Sequence, residues 1–162
     1  MQIKRTNGNE FEIKAKEATV QLNDGIKISD IHLAAPGEYE IAGVFVNVIA
    51  SDDQNIFTIC SDDINVCYLD GLKKSLSAEA INQLDDVDIL FLPVGAKDSL
   101  DLKQALVLLQ KIDPKIVIPI FLENETEFLK SEGTSEPRRE KVLKIQKSQL
   151  PAEEEREIVI LE

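Results

Sequence analysis

Two patterns of apolar and polar positions divide this chain. Up to about residue 69 the period is two. "IKRTNGNEFEI" sets Asn7-Gly8 between two extended runs, which predicts a hairpin with a type I′ turn. "ATVQLNDGIKIS" repeats the device at Asn23-Asp24-Gly25. "APGEYEIAGVFVNVIA" opens on a Pro36-Gly37 turn and alternates through Val44, Val46 and Val48, with Phe45 on the opposite face. "NIFTICSDDINVCYL" predicts a further hairpin, turning at Asp62-Asp63. Alternation puts Phe57, Ile59, Val66 and Tyr68 on its core face and Thr58, Cys60, Asn65 and Cys67 on the other. The register pairs Cys60 with Asn65 and Cys67 with Thr58, so the cysteines are diagonal neighbours, a poor geometry for a disulfide.

Beyond that point helical spacing alternates with continuous apolar runs. "SAEAINQL" predicts a short helix capped by Ser77, with Leu76 and Ile81 placed as a hydrophobic staple. "DILFLPVG" and "KIVIPI" are continuous apolar runs, the mark of strands buried on both faces. Between them "DSLDLKQALVLLQKID" carries Leu102, Ala105, Leu106 and Leu109 at helical spacing, with Asp98 or Ser99 as its cap and Pro114 as its end. "NETEFLKS" predicts a third helix, with Asn124 and Glu127 in capping-box spacing and Gly133 beyond its end. "KVLKI" and "EIVILE" close the chain as strands. Many antiparallel strands followed by strand-helix-strand-helix-strand imply sheet packed on sheet with helices outside. Residues 1–162 show no linker or repeat and are expected to form one domain.

Composition narrows the possible partners. The formal net charge is −12, which opposes binding to a phosphate backbone, so no nucleic-acid partner is expected. The basic residues Arg138, Arg139, Lys141, Lys144 and Lys147 are expected to form a solvated strand face. No apolar stretch is long enough to span a bilayer, and the N-terminal residues have no secretion-signal pattern, so the cytoplasm is the expected location and free thiols the expected state of both cysteines.

The fragments "APGEYEIAGVFVNVI", "VCYLDGL", "LDDVDILFLPVGA", "IDPKIVIPI" and "SQLPAEEEREIVILE" carry a resemblance in their order and spacing. Together they resemble the metallo-β-lactamase superfamily, and within it the branch of ascorbate-6-phosphate-lactonase-like zinc-dependent hydrolases. The resemblance covers roughly residues 10 to 162. It implies an α+β fold, the αββα sandwich, here in truncated form: two packed, mostly antiparallel sheets with outer helices. It also implies a site at one edge of the sheets that uses zinc or manganese. Imidazole and carboxylate hold zinc at about 2.0–2.2 Å and leave room for a water, whose pKa the metal lowers to near 7.

The chain departs from the family at each metal-binding position. Between Val20 and Ile31, where an H-x-H-x-D-H loop is implied, stands only "QLNDGIKISD". "IASDDQNIF" carries Asp52 and Asp53 but no histidine. "YLDGL" reverses a glycine-aspartate pair, so Gly71 stands where the ligand aspartate is implied and Asp70 precedes it. Phe121 stands where a further histidine is implied. Asp70 remains the one candidate metal ligand, although a one-residue slip along an extended segment turns a side chain to the opposite face. His32, the only histidine, is read as structural or exposed. A Cys₂His zinc site from Cys60, Cys67 and His32 is not expected, because nothing places His32 beside the cysteines. Asp52, Asp53, Asp62, Asp63, Asp85, Asp86 and Asp88 are read as turn formers rather than oxygen ligands for a cation. Gly95 follows a buried strand and is the candidate for a ligand loop.

The expectation is a non-catalytic homologue retained as a binding or assembly module, with no catalytic residue and no cofactor. Loss of the first histidine loop is expected to expose an apolar edge and drive homodimer formation. Two alternatives stand beside it: a metal-dependent hydrolase with a site rebuilt near Asp70, and a regulatory subunit that binds an active relative or a small ligand such as a sugar phosphate, against which the acidic surface works.

Overall fold

The computed structural model describes residues 1–52, 54–69, 71–95, 99–120, 125–134, 136–152 and 155–162. Five short strands open the chain: β1 (Gln2–Asn7), β2 (Glu10–Lys14), β3 (Thr19–Leu22), β4 (Ile26–Ile28) and β5 (Ile31–Leu33). They form an antiparallel meander, closed at its other edge by β13 (Val142–Lys144) beside β1. The second sheet begins with β6 (Gly37–Ile41), β7 (Val44–Ser51), β8 (Gln54–Ser61) and β9 (Ile64–Tyr68), all antiparallel. It continues through β10 (Ile89–Pro93), β11 (Ile116–Ile120), β14 (Glu157–Leu161) and β12 (Arg138–Glu140), all parallel. Three helices join its later strands: α1 (Ala78–Asn82), α2 (Leu102–Ile112) and α3 (Glu125–Ser131).

Two apolar layers hold these parts together. Between the sheets, Ile3, Phe11, Ile13, Val20 and Leu22 meet Val46, Ile59, Val66, Tyr68 and Phe91. Edge-on aromatic contacts run through this layer, with ring centroids 5.0 Å apart for Phe11 and Phe91 and 5.8 Å for Tyr68 and Phe91. Under the helices, Cys67, Leu90, Leu92 and Val117 meet Ala105, Leu108, Leu109 and Phe128. The two-layer α+β sandwich is the one expected, in truncated form: among the described residues every helix packs on the eight-stranded sheet. The outer face of the six-stranded sheet is instead polar and solvated, with Lys4 and Glu12 paired across it at 2.8 Å.

Several local details differ from expectation. Cys67 is fully buried under the helices, so the second face of the β8–β9 hairpin is also core at that point. The first turn centres on Gly8-Asn9, with Asn7 opposite Glu10 and only Gly8 left-handed (φ 51°), so it is not type I′. A register shift in β1 between Arg5 and Asn7 accounts for the displaced turn. The Asp62-Asp63 turn does have both central residues left-handed, at φ 53° and 61°, as a two-residue type I′ hairpin requires. The N-cap of α2 is Asp101, which accepts from the Gln104 N–H while the Gln104 side chain accepts from the Asp101 N–H. Ser99 does not cap the helix, and Asp98 and Asn124 lie outside the described residues. Ser77 caps α1 as expected, through the Ala80 N–H at 3.1 Å. β12 has no apolar alternation; the basic stretch expected as one solvated strand face is instead divided between β12, β13 of the other sheet and a turn at Lys147.

Candidate functional site

The parallel run of β9, β10 and β11 brings three strand ends to one edge of the eight-stranded sheet, and the β7–β8 turn joins them there because β8 runs antiparallel to β9. Ser51 and Asp52 therefore lie beside the segment that follows β9. The N-terminal amine marks the opposite edge, where it pairs with Asp62 at 3.2 Å.

Gln54, the first residue of β8, organises the strand-end edge. Its Nε2 donates to the Gly71 carbonyl, and its Oε1 accepts from the Lys73 N–H at 3.1 Å. Gly71 sits at φ +70°, a backbone that side chains with a Cβ adopt only under strain, and the Leu72 N–H closes the turn on the Leu69 carbonyl. A cleft of about 220 Å³ lies here, lined by Asp52, Gln54, Lys73, Lys74 and Ser75. One amide thus ties together the two loops that the family resemblance associates with metal ligation. The sequence held no signal for it, because a lone glutamine at a strand start has no motif.

Asp70, Asp53 and Phe121 lie outside the described residues. Gly95 follows β10 at φ +79°; its N–H donates to the Leu100 carbonyl at 2.9 Å, and a Cβ added there would meet nothing within 4 Å. The stretch 21–30, where a histidine loop is implied, completes β3, turns at 23–25 and forms β4. His32 is exposed on β5 of the other sheet, with Nε2 3.4 Å from the Asp24 carbonyl. Cys60 faces Asn65 and Cys67 faces Thr58, the expected register, and both thiols are free. Burial pushes the Cys67 thiol far up. Burial, then the nearby Asp63 carboxylate, pushes Cys60 up as well, so both thiols favour the protonated form. Among the described residues no group of three or more His, Cys, Asp or Glu side chains converges in a way that would hold a metal ion, so these residues do not fit a zinc centre.

The acidic turn residues divide. Asp62 and Asp63 form a turn as expected, but Asp88 does not. It is 2% exposed at the start of β10, accepts from the Asn65 N–H at 2.9 Å, and pairs with Lys147 at 2.7 Å and Lys115 at 3.3 Å. Burial alone would raise its pKa; the bond from Asn65 and the two ammonium groups outweigh that and hold it below the usual carboxylate value. An acid opening a fully buried strand was the available signal, since burial of a charge requires partners. Of the basic stretch, Arg138 pairs with Glu140 and Glu157, and Arg139 with Glu125 and Glu162, an exposed network.

Comparison with known proteins assigns the class. Residues 10–121 match the family model described as the beta-lactamase superfamily domain, and the chain belongs to that superfamily. The fold is similar to the crystal structure of a candidate zinc-dependent hydrolase of the metallo-beta-lactamase superfamily from Thermotoga maritima: 20% identity, 99% of this chain and 98% of that chain covered, TM-score 0.81. A metallo hydrolase from Ignicoccus hospitalis matches more loosely, at 19% identity, 72% and 61% coverage and a TM-score of 0.49. No helix among the described residues is long and apolar enough to cross a membrane.

Proposed function

We propose that this chain is a non-catalytic member of its superfamily, a binding or assembly module that keeps the sandwich without the metal chemistry. One observation carries the reading: the chain owns a single imidazole, and it stands on an exposed strand of the six-stranded sheet, bonded to a turn carbonyl. Zinc-hydroxide chemistry is built mainly on imidazole and carboxylate ligands. The Gln54 bridge supports the reading, because it supplies from an uncharged amide the loop-to-loop tie that a metal would otherwise provide. The ordered sequence fragments support descent from the ascorbate-6-phosphate-lactonase-like branch. The module is proposed to be one domain, to work in the cytoplasm and to self-associate through the β5 edge, where Ile31 is 50% exposed.

The reading is tested by turnover. Lactone, phosphomonoester and phosphodiester substrates are incubated with the protein and added zinc or manganese. The expected result is hydrolysis at the buffer rate with either metal. Metal-dependent turnover abolished by Asp70→Ala would establish the rebuilt-site alternative.

A further inference from the structure

The helices leave one part of the eight-stranded sheet bare. They cover its outer face over Cys67, Leu90 and Val117, but towards the β6 edge that face is open. Register defines what stands there. One row runs Glu40, Phe45, Cys60, Asn65, and the next runs Glu38, Asn47, Thr58. Phe45 is 54% exposed, more than any other large apolar side chain among the described residues. The segment after α1 forms a wall, fixed to the sheet where the Asn65 Nδ2 donates to the Asp86 carbonyl at 3.0 Å. Sheet and wall enclose a cleft of about 320 Å³ whose lining includes Glu38, Phe45, Cys60 and Asp85.

The chemistry of this cleft is one-sided. Glu38 and Asp85 of the lining, and Glu40 opposite Phe45 in register, have no ion-pair partner among the described residues, while Arg138 and Arg139 are paired with carboxylates elsewhere and Lys147, close enough to act on Cys60, is held by Asp88. A second copy carries a formal net charge of −12, so it brings more negative charge than positive. An aromatic face beside unpaired carboxylates suits a guanidinium or ammonium group carried with an apolar anchor. We propose that the cleft docks a basic segment of a partner polypeptide, its Arg or Lys side chains set against Glu38, Glu40 and Asp85 and its apolar anchor against Phe45. This gives a partner chemistry to the binding role proposed above and rests on that reading. The turnover assay tests that reading and a peptide assay tests this surface, so each fails separately.

The probe is a fluorescein-labelled dodecapeptide of alternating Arg and Leu, followed by anisotropy at physiological salt. Phe45→Ser changes no charge and removes a side chain already more than half in water, so it leaves the fold intact, as thermal unfolding will verify. Binding is expected to weaken by about tenfold or more in Phe45→Ser and in the Glu38→Lys/Glu40→Lys pair. It is expected to stay within about twofold in Glu127→Lys/Glu136→Lys, the same charge change away from the cleft. The bound peptide is also expected to slow alkylation of Cys60 by a maleimide. Absence of binding, full binding by Phe45→Ser, equal loss in the distant pair, or unprotected Cys60 would each overturn the proposal.

Discussion

Asp88 is the residue whose environment departs most from its sequence reading. Its carboxylate joins β9, the start of β11 and the 3-10 turn Lys147–Gln149 through one backbone amide and two lysines. Asp88→Asn removes the charge but leaves the lysines access to water, so the expected cost is about 2 kcal/mol, below that of breaking a fully buried pair. The sign of the pH effect follows from the lowered pKa. The contribution is complete above the ordinary carboxylate value of 3.8 and disappears as pH falls through the lower folded value. Urea midpoints should therefore separate the two proteins at pH 7 and converge in strong acid; a constant gap would contradict the ion-pair account. The thiols give a second residue-scale expectation. A disulfide reagent should modify Cys60 slowly at neutral pH and faster as pH rises, with Cys67 reacting only on unfolding.

At the scale of elements, the strand-end edge depends on Gln54 and Gly71. Gln54→Ala removes both bonds of the bridge, and the Lys73 amide should exchange with deuterium markedly faster while amides of β10 keep their protection. Unchanged exchange at Lys73 would show that the bridge does not hold the loop. Gly71→Ala should cost about 1 kcal/mol through its left-handed backbone. Most elements were legible in the sequence because apolar periodicity and caps are local signals: the β8–β9 register, the Ser77 cap and the buried runs of β10 and β11 all follow from neighbouring residues. What escaped is non-local. The basic stretch divides between β12 beside β14 and β13 beside β1, and Gln54 acquires its role only when two distant loops meet; the Asp101–Gln104 capping box is the exception, a local signal at i, i+3 spacing that neighbouring Asp98 and Ser99 obscured.

For the whole molecule, the inter-sheet core draws on residues from Ile3 to Leu161, which supports one cooperative unfolding transition seen alike by fluorescence of the tyrosines and by circular dichroism. Non-coincident curves would divide the chain. Self-association through the β5 edge must overcome the repulsion of −12 formal charges on each copy, so a dimer in light scattering at micromolar concentration should strengthen with salt and be lost in Ile31→Lys. A monomer under all salt conditions would remove that part of the proposal. The most direct test of the central claim is the metal content of the protein purified without chelator, measured by mass spectrometry of the elements. A chain without a metal centre will carry far less than one zinc, manganese or iron; a stoichiometric transition metal that disappears in Asp70→Ala would overturn the non-catalytic reading.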